Sequence, residues 1–256
     1  MVMDDASSNP PRDRRHLSRL MVVCALAVAG CTTWVGTTAK SFLRHVRNDP
    51  DPNMRYVAYS KLADPRAYDS EEEKAEAVRI LIDKFEKGHE PIATKATICR
   101  TLGQLRDPRA HDLLVKAVSS PEAVIKIESC RALGKVGRSE DATILAQVMT
   151  LDNLEDARIA AIEGLAELKT KDPRIYQLLV ENMDHDDPAI RLASLNALRK
   201  LTGKDHGTDP ADWRRELKPL LASSGAPVVK NAASTKDMTK AKARTRSPFS
   251  SLFEPR

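Results

Sequence analysis

Among the residues of this 256-residue chain that could do chemistry are four cysteines and six histidines. The histidines have neither the HExxH spacing nor any paired spacing that would hold a zinc ion. The sequence has no GxSxG, phosphate-binding or dinucleotide-binding motif. An acidic cluster around His185 lacks the full alternation of oxygen ligands that a calcium loop needs. The sequence therefore predicts a non-enzymatic protein with no catalytic residues, no metal site and no cofactor.

The cysteines fall into two groups. Cys24 and Cys31 lie near the N-terminus, whereas Cys99 and Cys130 occupy the same position in two successive repeats. Residues at one position of stacked helices lie about 10 Å apart, which is too far for a disulfide. We therefore expect Cys99 and Cys130 to pack in a core as small apolar side chains.

The N-terminus has the plan of an export signal. Four arginines between residues 12 and 19 precede an apolar run from Leu20 to Gly30. This run is too short to span a bilayer, which takes about 20 apolar residues. The segment Val28-Ala29-Gly30-Cys31 resembles the lipobox of bacterial lipoproteins. The resemblance implies cleavage before Cys31 and acylation of Cys31, for example with palmitate, and three acyl chains would hold the protein stably at a membrane.

The alternative is an ordinary secretory signal with a cysteine placed there by chance. In lipoproteins an Asp after the lipidated Cys favours the inner membrane, and here Thr32 follows Cys31. We therefore expect a protein of the cell envelope, anchored in the outer membrane and facing the periplasm. Because Arg14-Arg15-His16-Leu17 loosely resembles a twin-arginine signal, twin-arginine and general secretory export both stay open.

A repeated pattern organises the rest of the chain. Leucines recur at intervals of 31, 32 and 33 residues at Leu102, Leu133, Leu165 and Leu198, and a weaker copy contains Leu62. Residues four and eight positions before each leucine are mostly small or apolar and share its helical face. We call each helix that carries such a leucine a leucine helix. A second apolar-periodic run follows each one, and we call it a connecting helix.

The order of Pro, a basic residue, Ala and Leu between Asp187 and Leu198 resembles HEAT repeats, and similar copies extend from about Asp49 to Pro219. The resemblance implies an all-α fold, a right-handed α-solenoid of about five HEAT-like helix pairs that bury a continuous core. We expect each leucine helix to pair with the connecting helix that follows it. By similarity to bacterial HEAT lipoproteins, Trp213 would cover the open end of the core.

These patterns divide the chain into four parts. The predicted boundaries are a lipoprotein signal peptide at 1–30, a tether at 31–48, a HEAT-repeat domain at 49–221 and a disordered basic tail at 222–256. The tail carries a net charge of +5, residues 1–30 carry +1, and residues 31–221 carry −1. The basic character of the whole chain is therefore a property of its tail.

A basic residue stands seven positions before each recurring leucine. These residues are Arg55, Lys95, Lys126, Arg158 and Arg191. One interpretation is a stripe that binds a polyanion. The other, which we favour, is an internal ladder in which each cation pairs with a turn Asp or a carbonyl of the next repeat, because a largely desolvated cation needs such a partner.

The predicted function is protein–protein interaction by a lipid-anchored scaffold of the bacterial cell envelope. The expected partner is an unknown protein or peptide, with membrane contact through Cys31, no nucleic acid, and a monomeric chain. The resemblance to HEAT repeats implies a concave side, for which we expect contacts on the connecting helices at Arg79, Asp83, Asp112, Lys116, Gln177 and Glu181. The alternative is binding of an anionic envelope polymer or lipid surface by the basic tail. Some short HEAT-like proteins resemble bilin lyases, but no cluster of acid, base and nucleophile supports that activity here.

Overall fold

A computed structural model describes residues 35–223. Within that range the chain forms eleven α-helices and three single-turn 3-10 helices, and no strand. The helices are α1 Ala39–Asn48, α2 Pro52–Lys61, α3 Glu71–Lys87, α4 Ile92–Leu105, α5 His111–Val118, α6 Ala123–Val136, α7 Ala142–Leu151, α8 Glu155–Leu168, α9 Pro173–Asn182, α10 Pro188–Thr202 and α11 Pro210–Ser223. The predicted all-α class is confirmed.

The recurring leucines form the core as the repeat pattern predicts. Leu62, Leu102, Leu133, Leu165 and Leu198 are all fully buried. The residues four positions before them, on the same helical face, are fully buried as well. The even-numbered helices from α2 to α10 are thus the leucine helices, and from α2 to α8 each one packs against the next and hides its apolar face.

The pairing of the helices differs from the expected one. Each connecting helix packs on the leucine helix that follows it, so the pairs are α3 with α4, α5 with α6, α7 with α8, and α9 with α10. With this order of pairing the first leucine helix also has a partner before it, because α1 packs on α2 in the same way. Five pairs result, and α11 follows the last of them.

The predicted tether at 31–48 is therefore wrong for residues 39–48. These residues form α1, in which Phe42, Leu43 and Val46 are buried. The apolar side chains share one helical face, so the segment gains more by packing on α2 than by remaining extended. Residues 31–34, like the predicted signal peptide, lie outside the described range.

Asp-Pro steps start several of the helices. Asp51 and Asp187 accept a hydrogen bond from a backbone N–H of the first turn of α2 and α10, at 2.9 and 2.7 Å. Asp172 does the same for α9 at 2.9 Å, and Asp107 for the 3-10 turn before α5 at 2.9 Å. Aspartate caps the free N–H groups while proline occupies the first helical position, as the sequence indicates.

The chain divides into two compact units at Lys169 and Thr170, where a single repeat domain was expected. The first unit, described over residues 35–169, contains the four pairs from α1 to α8. The second, described over residues 170–223, contains α9, α10 and α11. In none of these helices does an apolar stretch reach the length of a membrane crossing. The predicted tail lies outside the described residues except for its first two, which end α11.

In the second unit, Trp213 of α11 is fully buried. Its indole N–H donates a hydrogen bond to the carbonyl of Gly207 at 3.0 Å, and His206 meets the ring edge-on. The helix α11 packs on α9. Trp213 therefore belongs to the core of this unit.

Candidate interaction surface of the first unit

The leucine helices of the first unit approach one another with almost no side chain between them. A Cβ atom added to Gly103 of α4 would lie 2.7 Å from the Cα of Ala132 in α6. One added to Gly134 of α6 would lie 2.5 Å from the Cα of Gly164 in α8. Glycine allows this because it lacks a side chain. The backbones of α4, α6 and α8 therefore lie in close contact.

This close approach curves the first unit. The connecting helices α5 and α7 do not approach each other in the way that α4 and α6 do. A guanidinium nitrogen of Arg106, at the end of α4, lies 3.8 Å from a carboxylate oxygen of Glu167 in α8, so it reaches past α6. A row of helices that is tighter on one side curves toward that side. The leucine helices therefore line the inner, concave side, and the connecting helices line the outer side.

The expected concave contacts in this unit are consequently misplaced, because the pairing was read in the wrong order. Arg79 and Asp83 lie on α3, and Asp112 and Lys116 lie on α5, so all four are on outer helices. An open groove beside α1 contains the first two, and its lining residues are Arg47, Glu76, Arg79, Ile80, Asp83 and Lys84. In the second unit, Gln177 donates a hydrogen bond to Glu181 at 3.1 Å.

A chain of ion pairs crosses the inner face. Arg100 of α4 holds Glu128 of α6 through two hydrogen bonds of 3.0 and 2.7 Å. Glu128 also lies 3.6 Å from Arg131, whose Nε donates to Glu163 of α8 at 2.6 Å. The four charges neutralise one another and bridge three successive leucine helices. These ion pairs were not predicted from the sequence, although Arg100, Arg131 and Glu163 all stand two positions before a recurring leucine.

An apolar row runs beside these ion pairs. The position six residues before the recurring leucine holds Tyr56, Ala96, Ile127 and Ile159 in the first unit, and we call these four residues the inner stripe. They lie one helical turn from the position of Arg100, on the same face. Tyr56 is 40% exposed, the two isoleucines are half-buried, and Ala96 between them is buried, so Tyr56, Ile127 and Ile159 are the members that reach solvent. The inner face thus combines neutralised charges with apolar side chains that contact solvent.

Two members of the predicted basic ladder contact acidic residues that lie just before the next leucine helix. Lys126 lies 2.6 Å from the carboxylate of Asp152, and both side chains are largely buried. Burial opposes ionisation of Asp152, but the hydrogen bonds from Lys126 and from a backbone N–H prevail and lower its pKa. Arg55 binds Glu90 through Nε and Nη2, and Tyr59 donates to the same carboxylate at 3.0 Å.

The other three basic residues of the ladder each contact a group that lies before their own helix in the sequence. Arg158 donates to the carbonyl of Met149 at 2.8 Å, and Arg191 donates to two turn carbonyls at 2.8 Å each. The ammonium of Lys95 lies over the ring of Phe85, 5.4 Å from its centroid. These contacts hold a leucine helix to the segment before it.

Both cysteines of the described residues are fully buried and free of disulfides. Burial raises the pKa of the Cys99 thiol to about 11 and that of Cys130 to about 12. A nucleophilic cysteine needs the opposite shift, because the thiolate is the reactive form. The two thiols thus serve as core packing, and Cys31 lies outside the described residues.

Residues 78–166 match the family model of HEAT repeats. This range runs from the second half of α3 through α8, which are the three pairs with the closest backbone contacts. It contains the inner stripe from Ala96 to Ile159. No curated protein sequence matches the chain.

One solved structure agrees with the HEAT-repeat match at the level of the fold. The complex of CpcE and CpcF of phycocyanin lyase from Nostoc sp. PCC7120 is similar with a TM-score of 0.54 and 17% sequence identity, over 75% of this chain and 73% of that chain. An engineered protein from the Northeast Structural Genomics Consortium is 15% identical over 79% of this chain and 94% of that chain, with a TM-score of 0.48. The first similarity supports an all-helical repeat fold.

Proposed function

We propose that this protein is a non-enzymatic scaffold that binds a protein or peptide along the inner stripe of its first unit. HEAT repeats generally serve protein interaction, and the inner face has the features of such a surface. Its charges are paired within the molecule, so the apolar groups of the stripe are what it offers to a partner. The observation that carries the proposal is the apolar side chain repeated six positions before each leucine.

The potentially reactive groups of the described residues already have structural tasks. The thiols of Cys99 and Cys130 fill the core, and the buried carboxylate of Glu90 is held by Arg55 and Tyr59. The two thiols are buried and the carboxylate is paired, which supports binding over catalysis. The lyase similarity concerns a complex of two proteins and, at 17% identity, extends to the fold alone.

Site-specific photo-cross-linking tests this function in native envelopes. A photoreactive residue at Ile127 should give a discrete adduct, whereas one at Lys116, on the outer helix α5 of the same pair, should give none. Ile159→Ser, one repeat along the stripe from the probe, should reduce the Ile127 adduct. Equal labelling from both positions, or an Ile127 adduct that Ile159→Ser leaves unchanged, would contradict the proposal.

We further propose that a lipid on Cys31 holds the scaffold at a membrane of the cell envelope, on the periplasmic side of the outer membrane. The lipobox-like segment ending in Cys31 supports this, because thiol acylation adds about 0.8 kcal/mol of membrane affinity per buried methylene. Cys31→Ala should therefore yield a soluble or uncleaved protein. A Cys31→Ala variant that still fractionates as a mature membrane species would refute the anchor and leave the inner-stripe proposal standing.

A second candidate function is binding of an anionic polymer or lipid surface by the tail, which carries a net charge of +5. Deleting residues 224–256 leaves α11 intact and separates the two functions. A scaffold keeps its Ile127 adduct after the deletion. A polymer-binding protein loses its ligand, and its affinity before the deletion falls with added salt.

A further inference from the structure

His111 stands at the junction between two neighbouring helix pairs. It is the first residue of α5, an outer helix, and its side chain is only 14% exposed. Asp141 lies in the turn immediately before α7, the outer helix of the next pair, and its side chain is 9% exposed. The ring Nε2 lies 2.9 Å from a carboxylate oxygen of Asp141. The contact therefore joins the pair α5–α6 to the pair α7–α8.

The other ring nitrogen also faces a carboxylate. Nδ1 of His111 lies 2.9 Å from Asp112, a side chain that is 91% exposed. A carboxylate can only accept hydrogen bonds, so both ring nitrogens must carry a proton to satisfy both contacts. The imidazolium is thus the form that fits this site. A neutral ring would turn a lone pair toward one of the two carboxylates.

The groups around the ring shift the pKa of His111 in opposite directions. The hydrogen bond with Asp112 raises the pKa of His111, partial burial opposes this, and the hydrogen bond and charge of Asp141 raise the pKa again. The positive charge of Arg138, from the turn that carries Asp141, acts against them. Lys116 acts on Asp112, whose pKa is lowered chiefly by its hydrogen bond with His111. The net result is a raised pKa for His111.

The contact lies between two helices that have few other close backbone contacts with each other. The leucine helices α4, α6 and α8 are held together by touching backbones, but α5 and α7 lack such contact. A largely buried, charged hydrogen bond between two helices whose backbones are not in close contact therefore contributes to holding the outer ends of the two pairs together. Its loss would let the outer ends of the two pairs separate while the inner helices stay packed.

We propose that the contact between His111 and Asp141 is a pH-dependent latch between the outer helices α5 and α7. The latch is strongest while the imidazole carries both protons and weakens when it loses one, because a neutral ring can donate to only one of the two carboxylates and no longer carries a positive charge. Since the folded state prefers the imidazolium, the latch contributes its full stabilisation below about pH 6.5, the ordinary value for histidine. The contribution is lost as the pH rises through the higher pKa of the folded protein.

Hydrogen exchange of the full chain across pH 5.5 to 8.5, corrected for intrinsic exchange, tests the latch. In the unaltered protein, protection of amides in residues 107–118 and 138–151 should fall as the pH rises. A difference of one unit between the folded and unfolded pKa corresponds to roughly a tenfold loss. His111→Gln should lack this pH dependence, and His89→Gln, which alters an exposed turn histidine, should retain it.

A second variant keeps the test decisive if His111→Gln folds poorly. Asp112→Asn removes an exposed partner only, so the protein should fold and release the latch at a lower pH. An NMR titration of the ring reports the same shift directly. The latch is refuted if protection of the two segments is independent of pH in the unaltered protein, or if His111→Gln follows the same profile. A ring that titrates at or below pH 6.5 also refutes it.

Discussion

Gly134 of α6 and Gly164 of α8 meet backbone to backbone, so that a Cβ on Gly134 would lie 2.5 Å from the Cα of Gly164. The helices could not come this close with a side chain at either position. The contact joins two repeats along the inner face, and Gly103 and Ala132 make a similar one a repeat earlier. Curvature of the first unit depends on these contacts.

Gly134→Ala should destabilise the protein. In an exposed helix the same change stabilises by up to about 1 kcal/mol, but overpacking a tight contact costs about 1–3 kcal/mol. We expect the second effect to prevail, with a net loss in the free energy of unfolding measured by denaturant titration. If Gly134→Ala instead increased the free energy of unfolding by the amount expected in an exposed helix, the two backbones would not be in contact.

Lys126→Met should destabilise the first unit by about 1–3 kcal/mol, because it leaves the largely buried carboxylate of Asp152 without its charged donor. Adding Asp152→Asn should recover part of the loss. A double variant no more stable than Lys126→Met would show that the two residues are not coupled.

The same pair predicts a dependence on acid. Because the pKa of Asp152 is lowered on folding, its contribution to stability is present above its unfolded value of about 4 and is lost as the pH falls through the folded value. In Lys126→Met the difference in the free energy of unfolding between neutral and acidic pH should be smaller. Denaturant titrations at pH 7 and pH 3 measure it, and an unchanged difference between the two would contradict the assignment.

The thiols of Cys99 and Cys130 should resist modification in the folded protein. Both are fully buried, and their pKa values of about 11 and 12 leave almost no thiolate at neutral pH. A thiol reagent applied to a protein that begins at residue 32, and so lacks Cys24 and Cys31, should react only after unfolding. Rapid reaction of either thiol in the native state would show that the core opens there.

Much of the fold was predictable from local pattern. The five leucines and the residues four positions before them share a helical face, so their burial followed from periodicity alone. The helix starts at the Asp-Pro steps were predictable too, because the aspartate side chain caps the first backbone N–H groups of the helix. These steps are at Asp51, Asp107, Asp172 and Asp187.

The pairing of helices and the side that curves inward were not predictable in the same way. A leucine helix has an apolar-periodic helix on either side in the sequence, and periodicity does not say which neighbour packs closest. The segment containing Phe42, Leu43 and Val46 carried the missing signal, because an apolar face before α2 implies a partner helix there. The glycines beside Leu102, Leu133 and Leu165 were the sequence signal for the inner side.

The most direct test is a pair of distances measured between spin labels in a protein that begins at residue 32 and so lacks Cys24 and Cys31. One pair of labels replaces Arg100 and Glu163 on the inner helices α4 and α8, and the other replaces Asp83 and Gln147 on the outer helices α3 and α7. All four side chains are exposed, and each pair spans two repeats. The account predicts a shorter distance for the inner pair than for the outer pair. An inner distance equal to or longer than the outer one would contradict the assignment of the leucine helices, and with them the inner stripe, to the concave side.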